Sequence, residues 1–126
     1  MTDGRVVPLV VRGSCREGLV RATTDGMIVI AGSVRIKAES RDAAVRAALA
    51  MAEASQREDG CRAYRFSVDL ADPTLVYVHE EWESAAALER HFATPHMAAF
   101  RASLPALVAA PASITRYEIA AAAKMA

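Results

Sequence analysis

Between Met27 and Ile119 the hydrophobic pattern switches repeatedly between the period of a strand and the period of a helix. The run from Met27 to Lys37 is dense in β-branched residues, which predicts a strand buried at least partly on both faces. An Ala-rich segment follows, with Ser40 as a suitable N-cap and Gly60 as its stop, and it predicts a helix. The expected buried stripe of this helix consists of Val45, Ala48, Leu49 and Ala52.

Three more strands are predicted further along the chain. The first two run from Cys61 to Asp69 and from Thr74 to Trp82, and the turn between them carries Asp72 and Pro73. The last strand is the alternating run from Ala112 to Ile119. The two adjacent strands therefore form a hairpin, and the last one returns after a second helical segment.

The second helical segment is interrupted. Ser84 can cap its first piece, and Pro95 then forces a break. Because Thr94 is a good N-cap and proline is tolerated at the first helical position, a new piece is expected from Pro95 to about Leu104. The resulting order, β-α-β-β-α-β, predicts a ferredoxin-like α+β fold in which helices cover one face of a four-stranded antiparallel sheet. Apolar residues on the other face predict a partner sheet.

Length and charge exclude several classes of protein. The 126 residues suit one domain, and 15 basic and 15 acidic residues cancel to a net charge of zero. No basic stripe is present to drive nucleic-acid binding, and no apolar run is long enough to cross a membrane. The two cysteines lack a disulfide or metal-ligand spacing, so both are interpreted as free thiols. We therefore expect a cytoplasmic protein.

The chain divides into three parts by pattern. Residues 1–26 lack a helical period and are interpreted as an extension, residues 27–120 as the domain, and residues 121–126 as a tail. Two readings of the extension stay open. Met27 is the native start, or the extension is an ordered arm with an edge strand from Val6 to Val11.

Four short motifs then suggest a relationship to known proteins. They are Gly60-Cys61-x-x-Tyr64, Glu80-x-Trp82, Leu88-x-x-His91 and Thr94-Pro95-His96-Met97-x-x-Phe100. With them, the chain from about Met27 to Ile119 resembles the antibiotic biosynthesis monooxygenase family, dimeric α/β-barrel proteins that include quinol monooxygenases. The resemblance implies a homodimer formed by sheet faces and a pocket between sheet and helices, with no metal and no other cofactor.

The resemblance also bears on the reaction. Haem-degrading relatives use an Asn and a late helical His, and this chain has no Asn and reads Ala99-Phe100-Arg101-Ala102 at the matching helix. Haem is therefore disfavoured, and oxidation of a quinol, an anthrone or a similar electron-rich aromatic by O2 is favoured. Two alternatives stay open. One is a non-catalytic dimer with a ligand-binding or stress role, and the other is an oxygen-independent isomerase or decarboxylase.

Candidate site residues concentrate around the single Trp. Glu80, Trp82 and His91 are the predicted catalytic residues, with Glu80 or His91 as the base. His91 and His96 are five residues apart across a proline, which only weakly supports a shared metal. Each of these residues also has a plain structural interpretation as core or surface. The predicted substrate-binding residues are Tyr64, Phe66, Phe92, His96, Met97, Phe100 and Tyr117.

Overall fold

The computed structural model describes residues 26–125. They form the predicted β-α-β-β-α-β order, with the second helical segment divided in two. The elements are β1 (Ile28–Arg35), α1 (Arg41–Gln56), β2 (Cys61–Val68), β3 (Leu75–Trp82), α2 (Ala85–Phe92), α3 (Pro95–Leu107) and β4 (Ser113–Glu118). The predicted extension up to residue 25, including the alternative edge strand Val6 to Val11, lies outside the described residues. No helix between residues 26 and 125 is long and apolar enough to span a bilayer.

The four strands form one antiparallel sheet in the order β2-β3-β1-β4. This is the predicted ferredoxin-like topology, in which β1 and β3 are the central strands. Side chains alternate between the two faces of each strand. The face toward the helices carries Ile28, Ile30, Tyr64, Val78 and Trp82, which pack with Met51 of α1 and Leu88 of α2 in the main core.

Two of the three predicted helix caps form as expected. The Ser84 hydroxyl accepts a hydrogen bond from the Ala87 N–H at 3.1 Å, and the Thr94 hydroxyl accepts one from Met97 N–H at 3.2 Å. Ser40 does precede α1, but its side chain makes no cap and instead donates to the Ala106 carbonyl at 3.4 Å. A short 3-10 turn, Ala38–Ser40, leads into the helix and replaces the expected cap.

The prediction of which side of α1 is buried was wrong. Ala44, Met51 and Ser55 are the buried residues of this helix, whereas Val45 is 36% exposed and Leu49 64% exposed. Helix propensity and Ala content fix that a helix forms, but the many small side chains leave its rotation weakly specified. The expected stripe borders a cavity instead of filling the core.

Helix α3 also extends further than predicted. It continues past Leu104 to Leu107 and includes Pro105. A proline in the last turn removes one backbone hydrogen bond, while burial of Leu107 against Ile36 and Val76 holds that turn in place.

Candidate active site

Two residues of β3 form the innermost polar pair on the helix-facing side of the sheet. Trp82 is 0% exposed, and its indole N–H donates to Glu80 Oε1 at 2.9 Å. Burial raises the pKa of the Glu80 carboxyl, while the Trp82 hydrogen bond, the charge of His91 and the phenol of Tyr64 act against this rise. The net shift is upward, so Glu80 is a stronger base than a surface glutamate.

Tyr64 lies directly across from Glu80 in the β2–β3 pairing. Its ring centre is 6.3 Å from that of Trp82, in an edge-to-face arrangement, and 5.5 Å from that of His91. Burial and the negative charge of Glu80 raise the pKa of the phenol well above its usual range. Tyr64 is therefore a neutral phenol that joins the polar pair to His91.

A second cluster centres on Glu58, which lies in the turn between α1 and β2. Its Oε2 is 2.7 Å from Nδ1 of His91 and 2.6 Å from Nε2 of His96. The His91 side chain is 1% exposed, that of Glu58 13% and that of His96 25%. One carboxylate oxygen therefore holds two imidazoles, and the cluster becomes more accessible from His91 to His96.

The Glu58 contact sets the chemistry of His91. An ionised carboxylate only accepts hydrogen bonds, so Nδ1 of His91 carries the proton that faces it. In the neutral ring this leaves a lone pair on Nε2, which is buried and has no hydrogen-bond partner among residues 26–125. The ring centre lies 4.6 Å from that of Trp82. His91 is thus an oriented imidazole with a free basic nitrogen in an aromatic environment.

Two local features of the sequence bring this cluster together. Gly60 has φ +86°, and a Cβ placed there would lie 2.6 Å from the Cβ of Ala87, so only glycine lets α2 approach the turn that holds Glu58. At the other end, Thr94 is extended and Pro95 opens α3 as a new helix. His91 and His96 therefore belong to different helices and both reach Glu58.

A cavity of about 310 Å³ lies between α1, α3 and the sheet. Its volume is at the lower end of the range of small-molecule sites, about 300–1,000 Å³. Three predicted substrate-binding residues, Tyr64, Phe66 and Phe100, line it. Glu80, Trp82 and His91 do not line it, but Tyr64 contacts both the cavity and these three residues. The cavity and the polar residues therefore share one wall.

The other predicted substrate-binding residues lie elsewhere. Met97 packs against the core, and His96 belongs to the Glu58 cluster. Phe92 is 37% exposed beside the guanidinium of Arg101, and Tyr117 is 39% exposed on β4. Neither Phe92 nor Tyr117 lines the cavity.

Sequence reasoning missed Glu58. It fell without comment inside the Ala-rich helix that was expected to run up to Gly60, whereas α1 ends at Gln56 and Glu58 lies in the turn that follows. The available signal was a carboxylate two residues before a helix-stopping glycine, where a side chain leaves the helix surface. Gln56, which donates to the Tyr64 carbonyl at 2.8 Å and fixes β2 against α1, was missed as well.

The family comparison agrees with this geometry. The model of the family described as antibiotic biosynthesis monooxygenase matches residues 27–103. The chain belongs to the antibiotic biosynthesis monooxygenase family. The matched segment contains every residue of the two polar clusters and of the aromatic wall, and it ends before β4.

Individual relatives align with parts of this family member. An uncharacterized protein of Synechocystis, sll1783, is 34% identical over 96 residues, which are 76% of this chain and 65% of that protein. YgiN of Escherichia coli, with the name "Probable quinol monooxygenase", is 40% identical over 52 residues, 35% of this chain and 50% of YgiN. The chain therefore spans about half to two thirds of the length of these two relatives.

Solved structures of the family share the fold. The crystal structure of PA3566 from Pseudomonas aeruginosa is 27% identical in sequence, with a TM-score of 0.69. The similarity covers 75% of this chain and 95% of that one. The described domain therefore accounts for nearly the whole of that neighbour.

Proposed function

We propose that this family member oxidises a small electron-rich aromatic, a quinol or an anthrone, with O2 and without a metal or organic cofactor. The observation that carries the proposal is the shared wall: Tyr64 lines an apolar cavity of about 310 Å³ and also contacts Glu80, Trp82 and His91. The names of family relatives, including the quinol monooxygenase name of YgiN, support the same class of substrate.

The proposed chemistry starts with a proton transfer. A substrate hydroxyl, or an acidic C–H of an anthrone, gives its proton through the phenol of Tyr64, which lies between the cavity and the two bases, to Glu80 or to Nε2 of His91. Glu58 orients His91 for this step. The substrate anion then transfers one electron to O2, and the two radicals combine into a peroxide. The peroxide anion takes a proton back from the base, and loss of water from the resulting anthrone hydroperoxide leaves the ketone. All four electrons that reduce O2 therefore come from the substrate. The aromatic wall excludes water and keeps the anion from being reprotonated.

Oxygen consumption tests this proposal. Protein treated with a chelator is mixed with reduced naphthoquinols and anthrones, and uptake is compared with autoxidation. We expect the rate of oxygen uptake to be well above autoxidation for wild type. In Glu80→Gln the rate should fall by at least about tenfold, because a positioned base contributes a factor of about 10²–10⁴ to the rate. His79→Gln is the matched control, since His79 bonds Glu81 on the opposite face of the sheet. Uptake equal to autoxidation across the panel would contradict the proposal and favour ligand binding.

We also propose that the protein is a homodimer through its open sheet face. Val29, Ala31, Tyr77, His79 and Tyr117 share the face that the helices leave uncovered. Tyr77 and Tyr117 are each 39% exposed there. Partly apolar sheet faces of this kind are commonly covered by a second sheet about 10 Å away.

A further inference from the structure

The Glu58 cluster has the composition of a metal site. Its three ligand atoms, one from each of Glu58, His91 and His96, all lie within 4.8 Å of one another. They come from three separate segments, the turn before β2, helix α2 and the first turn of α3. Two imidazoles and one carboxylate form a ligand set that borderline divalent cations such as Zn²⁺ accept, with at least one coordination position left open.

We propose that Glu58, His91 and His96 bind a divalent first-row transition-metal cation of the Zn²⁺ type. A cation bonded to all three at about 2.0–2.2 Å requires ligand atoms about 3.0–3.4 Å apart. The present N···O distances are 2.7 and 2.6 Å, so each hydrogen-bonding proton moves to the other nitrogen of its ring and the atoms separate by a few tenths of an ångström. A rotation of the Glu58 side chain supplies that movement.

The surroundings favour a cation over an isolated hydrogen-bond cluster. Within residues 26–125, no Lys or Arg forms an ion pair with Glu58, so the only ionisable side chains that contact its carboxylate are the two imidazoles. The His91 ring is held near the rings of Trp82 and Tyr64, which fixes the direction of Nδ1 before a metal arrives.

An entry path exists as well. A groove of about 190 Å³ between α1 and α3 is lined by His96 together with Met51, Phe100 and Ser103. His96 is the most exposed of the three ligands at 25%. A hydrated cation therefore reaches His96 first and exchanges its waters for Glu58 and His91, which are less exposed.

The inference goes beyond the proposed oxidation and does not rest on it. A cation on Nδ1 of His91 moves the ring proton to Nε2, and the free basic nitrogen is lost. The cation is therefore an inhibitor of any reaction in which His91 is the base. Binding itself is measured without substrate or O2, so a failure of this inference is distinct from a failure of the oxygenation proposal.

Calorimetric titration of the full chain, free of affinity tag and treated with a chelator, tests the site with Zn²⁺. We expect one ion per chain, and affinity at least about tenfold weaker in Glu58→Gln and in His96→Gln, since even outer-shell changes cost about 10–100-fold. His79→Gln and Glu81→Gln are the matched controls, because they break another His–Glu bond of 2.8 Å away from the cluster. Their affinity should equal that of wild type.

Two further readouts keep the test decisive. Co²⁺ bound by nitrogen and oxygen ligands should give visible absorption in wild type and not in His96→Gln, and Zn²⁺ should raise the Tm of wild type and of the two control variants but not that of His96→Gln. If Glu58→Gln does not fold, the partly exposed His96→Gln decides the outcome. No saturable binding, equal affinity in the cluster variant, or loss of binding in His79→Gln overturns the proposal.

Discussion

The indole N–H of Trp82 donates a hydrogen bond of 2.9 Å to the carboxylate of Glu80, two residues away on β3, and both side chains are almost completely buried. Residues two apart on a strand share a face, so the strand itself sets this contact. Removing either partner leaves a buried polar group without its bond, which costs more than the bond contributes.

The first prediction follows from that pair. Trp82→Phe removes the N–H donor and part of a fully buried ring, and it should lower the free energy of unfolding by about 2–4 kcal/mol. Urea unfolding measures the loss. Tyr77→Phe removes the exposed hydrogen bond to Asp69 and should cost less than about 1 kcal/mol. Similar losses in the two variants would contradict the buried pair.

Glu58 is predicted to position His91 for catalysis. In protein treated with a chelator, Glu58→Gln should lower kcat for the oxidation by at least about tenfold with a smaller change in KM. The reason is that an amide no longer fixes the proton on Nδ1 of His91. The pH profile of kcat should change with it. Glu81→Gln changes the His79–Glu81 hydrogen bond, which lies away from the Glu58 cluster, and should leave kcat and its pH profile unchanged. An unaltered profile in Glu58→Gln would argue for a purely structural role.

Filling the cavity should block substrate binding without unfolding the domain. Ala52 lines the cavity from α1, so Ala52→Phe is expected to raise KM by about tenfold or more, as one displaced apolar group is worth about 1–3 kcal/mol. Ala102→Phe on the exposed side of α3 is the control for helix propensity and should leave KM unchanged. Equal KM values would place the substrate elsewhere.

The Cys61 thiol should react slowly with alkylating agents. Burial and the charges of Glu58 and Glu80 raise its pKa from 9.0 to about 11, so the reactive thiolate is scarce at pH 8. In a Cys15→Ser background, alkylation should be slow at pH 8 and accelerate toward pH 11. The same shift makes stability fall between about pH 9 and 11, because the unfolded chain loses this proton first. Alkylation at pH 8 as fast as that of a free thiol would contradict the shift.

The open sheet face should determine the oligomeric state. Tyr117→Asp introduces a charge into the proposed interface beside Val29, and light scattering should then report a monomer where wild type is a dimer. Ala102→Asp on the exposed side of α3 adds the same single negative charge away from that face and should leave the dimer intact. A wild-type monomer would contradict the dimer proposal directly.

The fold was predictable because its signals are local. The caps at Ser84 and Thr94, the break at Pro95 and the alternation of β3 each act over a few residues, and together they give the element order. The rotation of α1 was not predictable, because Ala44 and Ala48 differ little in what they gain by burial. Tertiary packing of Met51 decided it.

The candidate site was predictable only in part, because some of its contacts are local in sequence and others depend on tertiary structure. Glu80 and Trp82 share a strand face, which a period of two reveals from sequence. His91 and His96 would point about 140° apart in a continuous helix, so their spacing argued against a shared site. The extended Thr94 resets that phase, and Glu58, which is 33 residues before His91, reaches them through tertiary structure alone.

The joint at Thr94 and Pro95 also makes the distance between the two imidazoles depend on the number of residues between them. A single insertion between His91 and His96 would shift and turn one ring relative to Glu58 while leaving both helices, the sheet and the core able to form. Such a chain would keep its stability and lose its histidine pair. Length variation at this joint would therefore separate relatives that share the fold from those that share the cluster.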